Sequence, residues 1–226
     1  MRMDLLLLIA LLAIVSTAAL AGPVTKRVDG VDVRTPDGTL GLTVYGANAI
    51  RVTFAPGTAI PKIDSLAVIA KPGGDCSVEE ETSKIIVNAA SVRAEVDKLT
   101  GAVSFYSGDR LLARKSANGR KLTPAVINGE NVLSIRQSFS VFDDEAFYGL
   151  GHDQSGLANR AGQLVRLKQG NTDKIIPVLV SSRGYGILWD NPSYGEVDLR
   201  TVKSQTNPAD VPIPASALIG LTGEYY

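Results

Sequence analysis

One carboxylate in this chain stands in a loop made of hydrogen-bonding side chains. Asp173 follows Asn171 and Thr172 in the segment from Gln169 to Lys174, between a polar-apolar strand and Pro177. A carboxylate placed this way can accept hydrogen bonds from sugar hydroxyls. It suits equally well an Asx-type turn that closes the loop on itself, and spacing alone leaves both readings open. The sole histidine, His152, lies among Gly149, Gly151 and Gly156. General-base chemistry would need a paired Ser or Cys and an orienting carboxylate, and no such constellation surrounds it. The glycine run lacks the Lys-Ser/Thr ending and the helix of a phosphate loop. Its glycines predict a left-handed turn or a close backbone approach instead. Asp173 and Asp190 are the nearest thing to a hydrolytic carboxylate pair, but nothing in the sequence fixes their separation. Asp143-Asp144-Glu145 lacks the alternating ligands and distal Glu of a calcium loop and is read as a solvated turn.

These residues need elements to position them, and the pattern is β. Leu40, Leu42 and Val44 alternate with smaller or polar residues. After the turn Gly46-Ala47-Asn48, Ile50, Val52 and Phe54 alternate with Arg51 and Thr53, predicting a hairpin with one buried face. Strands follow at Lys84–Asn88, Val92–Val96, Val103–Tyr106 and Arg110–Arg114, with turns at 97–101 and 107–109. Ser116–Lys121 reads as a polar loop before alternation resumes over Val132–Phe139. Val178–Ser181 and Tyr185–Trp189 form a hairpin through Ser182-Arg183-Gly184, where the glycine supplies the positive φ of a tight turn. Trp189, the only tryptophan, is read as core at a strand end, and Asp190-Asn191-Pro192 stops that strand. Short strands at this spacing, with no helical periodicity outside the leader, predict an all-β fold, an antiparallel sandwich or barrel.

The chain has 226 residues, 45% of them hydrophobic, with 23 basic and 23 acidic side chains. That composition supports a packed core and lacks the basic face that a nucleic-acid partner requires. Residues 1–21 read as a signal peptide: Arg2, the apolar run Leu5–Val15, and Ala19-Leu20-Ala21 as the cleavage pattern. The run falls short of the ~20 residues of a membrane span, so no stable membrane anchor is expected and the chain is expected to be secreted or periplasmic. Cys76 is the single cysteine; it permits no intrachain disulfide, and one Cys with one His makes no closed zinc site.

Taken in order, three segments resemble the N-terminal β-sandwich of glycoside hydrolase family 31, which contains α-glucosidases and α-xylosidases. They are Tyr148-Gly149-Leu150-Gly151, Asn171-Thr172-Asp173, and Ser181-Ser182-Arg183-Gly184-Tyr185-Gly186-Ile187-Leu188-Trp189-Asp190-Asn191. Val92–Val96, Phe105-Tyr106-Ser107 and Leu111 fit the same domain, and the likeness covers roughly residues 28 to 200. The resemblance implies a galactose-mutarotase-like sandwich over residues 22–219, packed against a (β/α)8 barrel. It implies a retaining mechanism whose two aspartates sit on that barrel, so no catalytic residue is expected in this chain, and no cofactor or metal. It makes Asp173 the sugar contact, with Asn171 and Thr172 setting the loop. The substrate implied is an α-linked oligosaccharide of xyloglucan or starch type, with α-xylosidase favoured over α-glucosidase. Gly220–Tyr226 resembles the opening strand of a protective-antigen-type domain, implying a chain cut as an inserted domain begins. Two alternatives stand beside this reading: a free-standing sugar-binding module, and a structural β-sandwich without ligand.

Overall fold

The computed structural model describes residues 22–62 and 64–202 and the backbone of 220–225. The expected leader, residues 203–219 and Tyr226 lie outside the described residues. Among the described residues every element is a strand. The first ten are β1 (Val24–Arg27), β2 (Gly30–Thr35), β3 (Gly38–Tyr45), β4 (Ala49–Ala55), β5 (Ser77–Glu80), β6 (Lys84–Asn88), β7 (Arg93–Asp97), β8 (Val103–Ser107), β9 (Arg110–Ile127) and β10 (Glu130–Ser140). Then come β11 (Phe147–Gly149), β12 (Leu164–Leu167), β13 (Val178–Ser181), β14 (Tyr185–Trp189), β15 (Gly195–Asp198) and β16 (Gly220–Tyr225).

Two sheets carry the core. One runs β1-β2-β3-β4-β16-β14-β13-β11 and the other β10-β9-β8-β7-β6-β5, with β12-β15 as a separate ribbon. The expected all-β antiparallel sandwich is therefore the observed fold. Alternation explains the packing: Ile50, Val52 and Phe54 are at most 2% exposed and meet Ile85, Val87, Ala94, Val96 and Phe105 of the facing sheet. Burying each such side chain contributes about 1.5–3 kcal/mol. Trp189 packs against the same core, as read from sequence, and Gly184 turns the β13–β14 hairpin at φ 83.

Two expectations are corrected. Ser116–Lys121 is no loop; it lies inside the 18-residue strand β9, which pairs with β10 from Arg114 to Ile127. Past the end of β8 this pair projects as a ribbon with both faces partly wet, so burial does not mark Ser116–Lys121 as a strand in the sequence. Glu145 is no part of a solvated turn. Asp143 and Asp144 are exposed, but Glu145 is 2% exposed and accepts hydrogen bonds from Ser181 Oγ and Tyr185 Oη, each at 2.5 Å.

Residues 220–225, the segment resembling a protective-antigen-type strand, run parallel to both neighbours as β16, between β4 and β14. Arg51 and Asp190 meet at 3.0 Å from either side of that strand, with side chains only 9% and 7% exposed. The ion pair thus ties the two halves of the larger sheet. It also commits Asp190 to a structural partner, which removes it from any carboxylate pair with Asp173.

Candidate functional site

The chain leaves β11 through three successive residues of positive φ: Gly149 (92°), Leu150 (62°) and Gly151 (87°). Leu150 is buried at 2% exposure, and its amide donates to the Val178 carbonyl at 2.8 Å. The glycines are there for contact as well as for φ. A Cβ on Gly151 would stand 1.9 Å from the Lys174 carbonyl oxygen, and one on Gly149 would stand 2.4 Å from that of Val178. The close backbone approach expected from sequence is therefore real, and its partner is the Asp173 loop. His152 N donates to Lys174 O at 2.7 Å, and Lys174 N returns a bond to His152 O at 2.9 Å.

Arg160 holds this turn from inside. At 4% exposure, its guanidinium donates to the carbonyls of Gly149 (3.2 Å) and Gly151 (3.1 Å) and pairs with Asp153 Oδ2 at 2.7 Å. The hydroxyl and amide of Ser155 bond the other oxygen of Asp153. These hydrogen bonds, with the Arg160 charge, hold the Asp153 carboxyl below the usual range. The Asp173 loop is closed by Gln169, whose side-chain amide donates to Ile175 O at 3.0 Å and accepts from Ile175 N at 3.2 Å. Gly170 N adds a bond to Asp173 O at 3.3 Å. Neither Arg160 nor Gln169 was singled out from sequence. Their partners are main-chain groups, and a turn of consecutive left-handed residues, with carbonyls left over, is the one signal that asks for such donors.

Between the two loops and the ribbon β12-β15 lies a depression of about 360 Å³ lined by Asp153, Leu164, Val165, Arg166, Asp173 and Ile175. Asn171 and Thr172 are exposed on the loop, and Asp173 is half-buried. Among the described residues no side-chain hydrogen bond or ion pair engages the Asp173 carboxylate. Asp153 lines the same depression but is already bound to Arg160 and Ser155. The arrangement offers one uncommitted carboxylate on a braced loop, suited to accepting hydroxyl hydrogen bonds.

His152 is exposed, and its backbone bridge to Lys174 is the role the structure gives it. Cys76 is half-buried, and burial pushes its thiol pKa up. Among the described residues no three His, Cys, Asp or Glu side chains gather as a metal site.

Residues 39–198 match the model of the glycosyl hydrolase 31 N-terminal galactose mutarotase-like domain. The chain belongs to that family. It is 39% identical over 82 residues to an α-xylosidase of Saccharolobus solfataricus, covering 32% of this chain and 11% of the relative. It is 30% identical over 77 residues to α-xylosidase A of Aspergillus niger, covering 34% and 10%. Among solved structures it resembles a family 31 α-xylosidase of Xanthomonas citri, with a TM-score of 0.71 and 35% identity, over 76% of this chain and 19% of that one. A soil-metagenome α-xylosidase solved with xylose gives a TM-score of 0.71 and 26% identity, over 80% and 30%. The chain thus spans only a tenth to a third of these relatives.

Proposed function

We propose that this chain is the substrate-loop domain of a secreted or periplasmic retaining α-glycosidase, α-xylosidase rather than α-glucosidase, and that it is not itself catalytic. The observation that carries the reading is the Asp173 loop: docked on the Gly149–Gly151 turn, closed by Gln169, and presenting a carboxylate with no side-chain partner among the described residues. Asp173 accepts hydrogen bonds from the sugar, while Asn171 and Thr172 shape the loop. A retaining mechanism needs two carboxyl groups about 5–5.5 Å apart. Asp190 and Asp153 are both bound to arginines here, which supports placing the reacting pair on the barrel that the family resemblance implies. Binding energy from the loop then serves to orient the sugar for chemistry done elsewhere.

The buried Tyr148 hydroxyl, which has no hydrogen-bond partner among the described residues, supports an incomplete wall. Leaving such a group unpaired costs about 1–3 kcal/mol, and a neighbouring domain would satisfy it. α-Xylosidase is favoured because two relatives found by sequence and the two solved structures named above carry that description, against one relative described as a family 31 glucosidase, 32% identical over 102 residues.

Two measurements test the reading. The purified chain is expected to show no turnover of aryl α-xylosides or α-glucosides; enzyme-like rates would place the chemistry in this chain after all. Calorimetry with xyloglucan oligosaccharides is expected to give weak saturable binding, near the ~1 mM that corresponds to about 4 kcal/mol. Asp173→Ala removes a charge-assisted contact of about 1.5–3 kcal/mol and should abolish measurable binding. Unchanged binding in that variant, or none in the parent chain, removes Asp173 as the contact.

A further inference from the structure

The two main sheets end in four edge strands, β1 and β11 on one and β5 and β10 on the other. A long, unblocked edge pairs readily with another chain, so native edges are kept short, charged, bulged or interrupted by proline. Three of these edges follow that rule. β11 has three residues and runs into the left-handed Gly149–Gly151 turn. β1 and β5 have four each and carry Lys26-Arg27 and Glu79-Glu80. β10 does not follow it: Glu130–Ser140 runs for 11 residues without a proline or a lysine.

The turn of the β9–β10 ribbon fixes which groups this edge presents. Asn128 and Gly129 both take positive φ, 52° and 84°, as in a two-residue type I′ hairpin whose closing pair, Ile127 and Glu130, is hydrogen-bonded. Bonded and non-bonded pairs alternate from there. Glu130, Val132, Ser134 and Arg136 therefore bond to β9, while Asn131, Leu133 and Ile135 turn their amides and carbonyls outward. Among the described residues those outward groups have no backbone partner. The same alternation puts Pro124, opposite Leu133, at an outward position of β9, where its missing N–H blocks that edge. The irregularity opposite Ser138 interrupts β9 as well. The ribbon is thus blocked along β9 and open along β10.

We propose that the β10 edge pairs with the β10 edge of a second copy of this chain, antiparallel about a two-fold axis through Leu133. Asn131 then lies opposite Ile135 of the second copy, and Leu133 opposite its own equivalent. Each outward pair exchanges two bonds, about six in all. Charge selects this register. Glu130 stands opposite Arg136 of the second copy, and Arg136 opposite its Glu130, both in the closer, non-bonded pairs. A slip of two residues either way sets Glu130 against Ser134 or Ser138, and Arg136 against Asn128 or Val132. Glu130 is exposed and has no ion pair among the described residues. Arg136 feels Asp198, but that carboxylate is already gripped by Arg200. On the other face Leu133, 39% exposed, meets its equivalent beside Pro124 and Val126, the latter 68% exposed. Apolar side chains left in water by one chain are covered by the next. This surface depends on neither the Asp173 loop nor the sugar reading.

Sedimentation of the purified chain should show a reversible, concentration-dependent doubling of mass. A monomer throughout the range of about 1 μM to 1 mM overturns the proposal. Leu133→Pro removes an outward amide but no bond to β9, and should abolish the dimer while thermal unfolding stays near the parental midpoint. Charge reversal leaves the backbone untouched. Arg136→Glu or Glu130→Arg alone turns two attractive contacts into two repulsive ones and should weaken self-association about tenfold. Mixing these two single variants should restore parental affinity, because each supplies the charge the other lacks. Dimers that withstand both single reversals, or reversals that mixing does not rescue, would sink this pairing.

Discussion

Replacing Gly151 by Ala asks whether the Asp173 loop is held by backbone docking. The added Cβ would lie 1.9 Å from Lys174 O and 2.8 Å from both Ile175 Cα and Ile176 N, all main-chain atoms that cannot rotate away. The loops must therefore part by more than an ångström, which breaks the 2.7 and 2.9 Å bonds between His152 and Lys174. Two lost hydrogen bonds at about 0.5–1.5 kcal/mol each, with about 1 kcal/mol for a left-handed alanine, give a cost of about 2–4 kcal/mol. Gly156 is the control: its φ is 69°, yet nothing lies within 4 Å of its Cβ position, so Gly156→Ala bears the φ cost alone, about 1 kcal/mol. Hydrogen exchange of the His152 and Lys174 amides reads the docking directly. At 1.4 kcal/mol per decade, Gly151→Ala should speed their exchange about thirtyfold or more, while Gly156→Ala leaves it near the parental rate. If both variants protect those amides equally, the close approach does not hold the loop and the reasoning fails.

Three further perturbations follow from the buried polar contacts. Asp190→Ala removes the buried carboxylate that pairs with Arg51 and should cost about 3–5 kcal/mol in urea unfolding, whereas the double variant Arg51→Met/Asp190→Leu should recover most of it. Glu145→Ala leaves the Ser181 and Tyr185 hydroxyls buried without their acceptor. A loss of about 2–4 kcal/mol is expected, larger than that of Asp143→Ala at its exposed neighbour. Asp153 has a folded pKa below its unfolded value of about 3.9, so its contribution is present above that pH and lost as pH falls through the folded value. Asp153→Asn should therefore flatten the acid limb of the stability curve below about pH 4 and leave its slope above about pH 5 unchanged.

What the sequence disclosed followed burial. The β3–β4 and β13–β14 hairpins were legible because each has one face in the core, and period-two alternation records that. The β9–β10 ribbon was only half legible because it leaves the sheet, and pairing rather than burial makes Ser116–Lys121 extended. Strand β2 is largely buried, and Val31-Asp32-Val33-Arg34 carries the same period-two alternation, so its signal is present in the sequence although the expected strands begin only at Thr39. Glu145 looked like its acidic neighbours because the two hydroxyls that donate to it lie 36 and 40 residues further on. Asp190 meets Arg51 across 139 residues, which no local pattern encodes. The glycines of the Gly149–Gly151 turn were legible as a close approach, but what they approach was not.

The site follows a division of labour that its contacts make explicit. Asp190 is bound to Arg51, Asp153 to Arg160 and Glu145 to two hydroxyls, so these carboxylates spend their hydrogen-bonding capacity on the fold. The Asp173 loop is fixed by other means: a two-bond backbone bridge, a glycine contact too close for any Cβ, and the Gln169 amide standing in for a strand. Because none of these uses the Asp173 carboxylate, the loop can be rigid while that carboxylate stays available. A loop braced through its own acid would lose its geometry when a ligand took that acid. On the proposed reading, a sugar that took this carboxylate would cost little reorganisation, which is what a wall that orients a substrate requires.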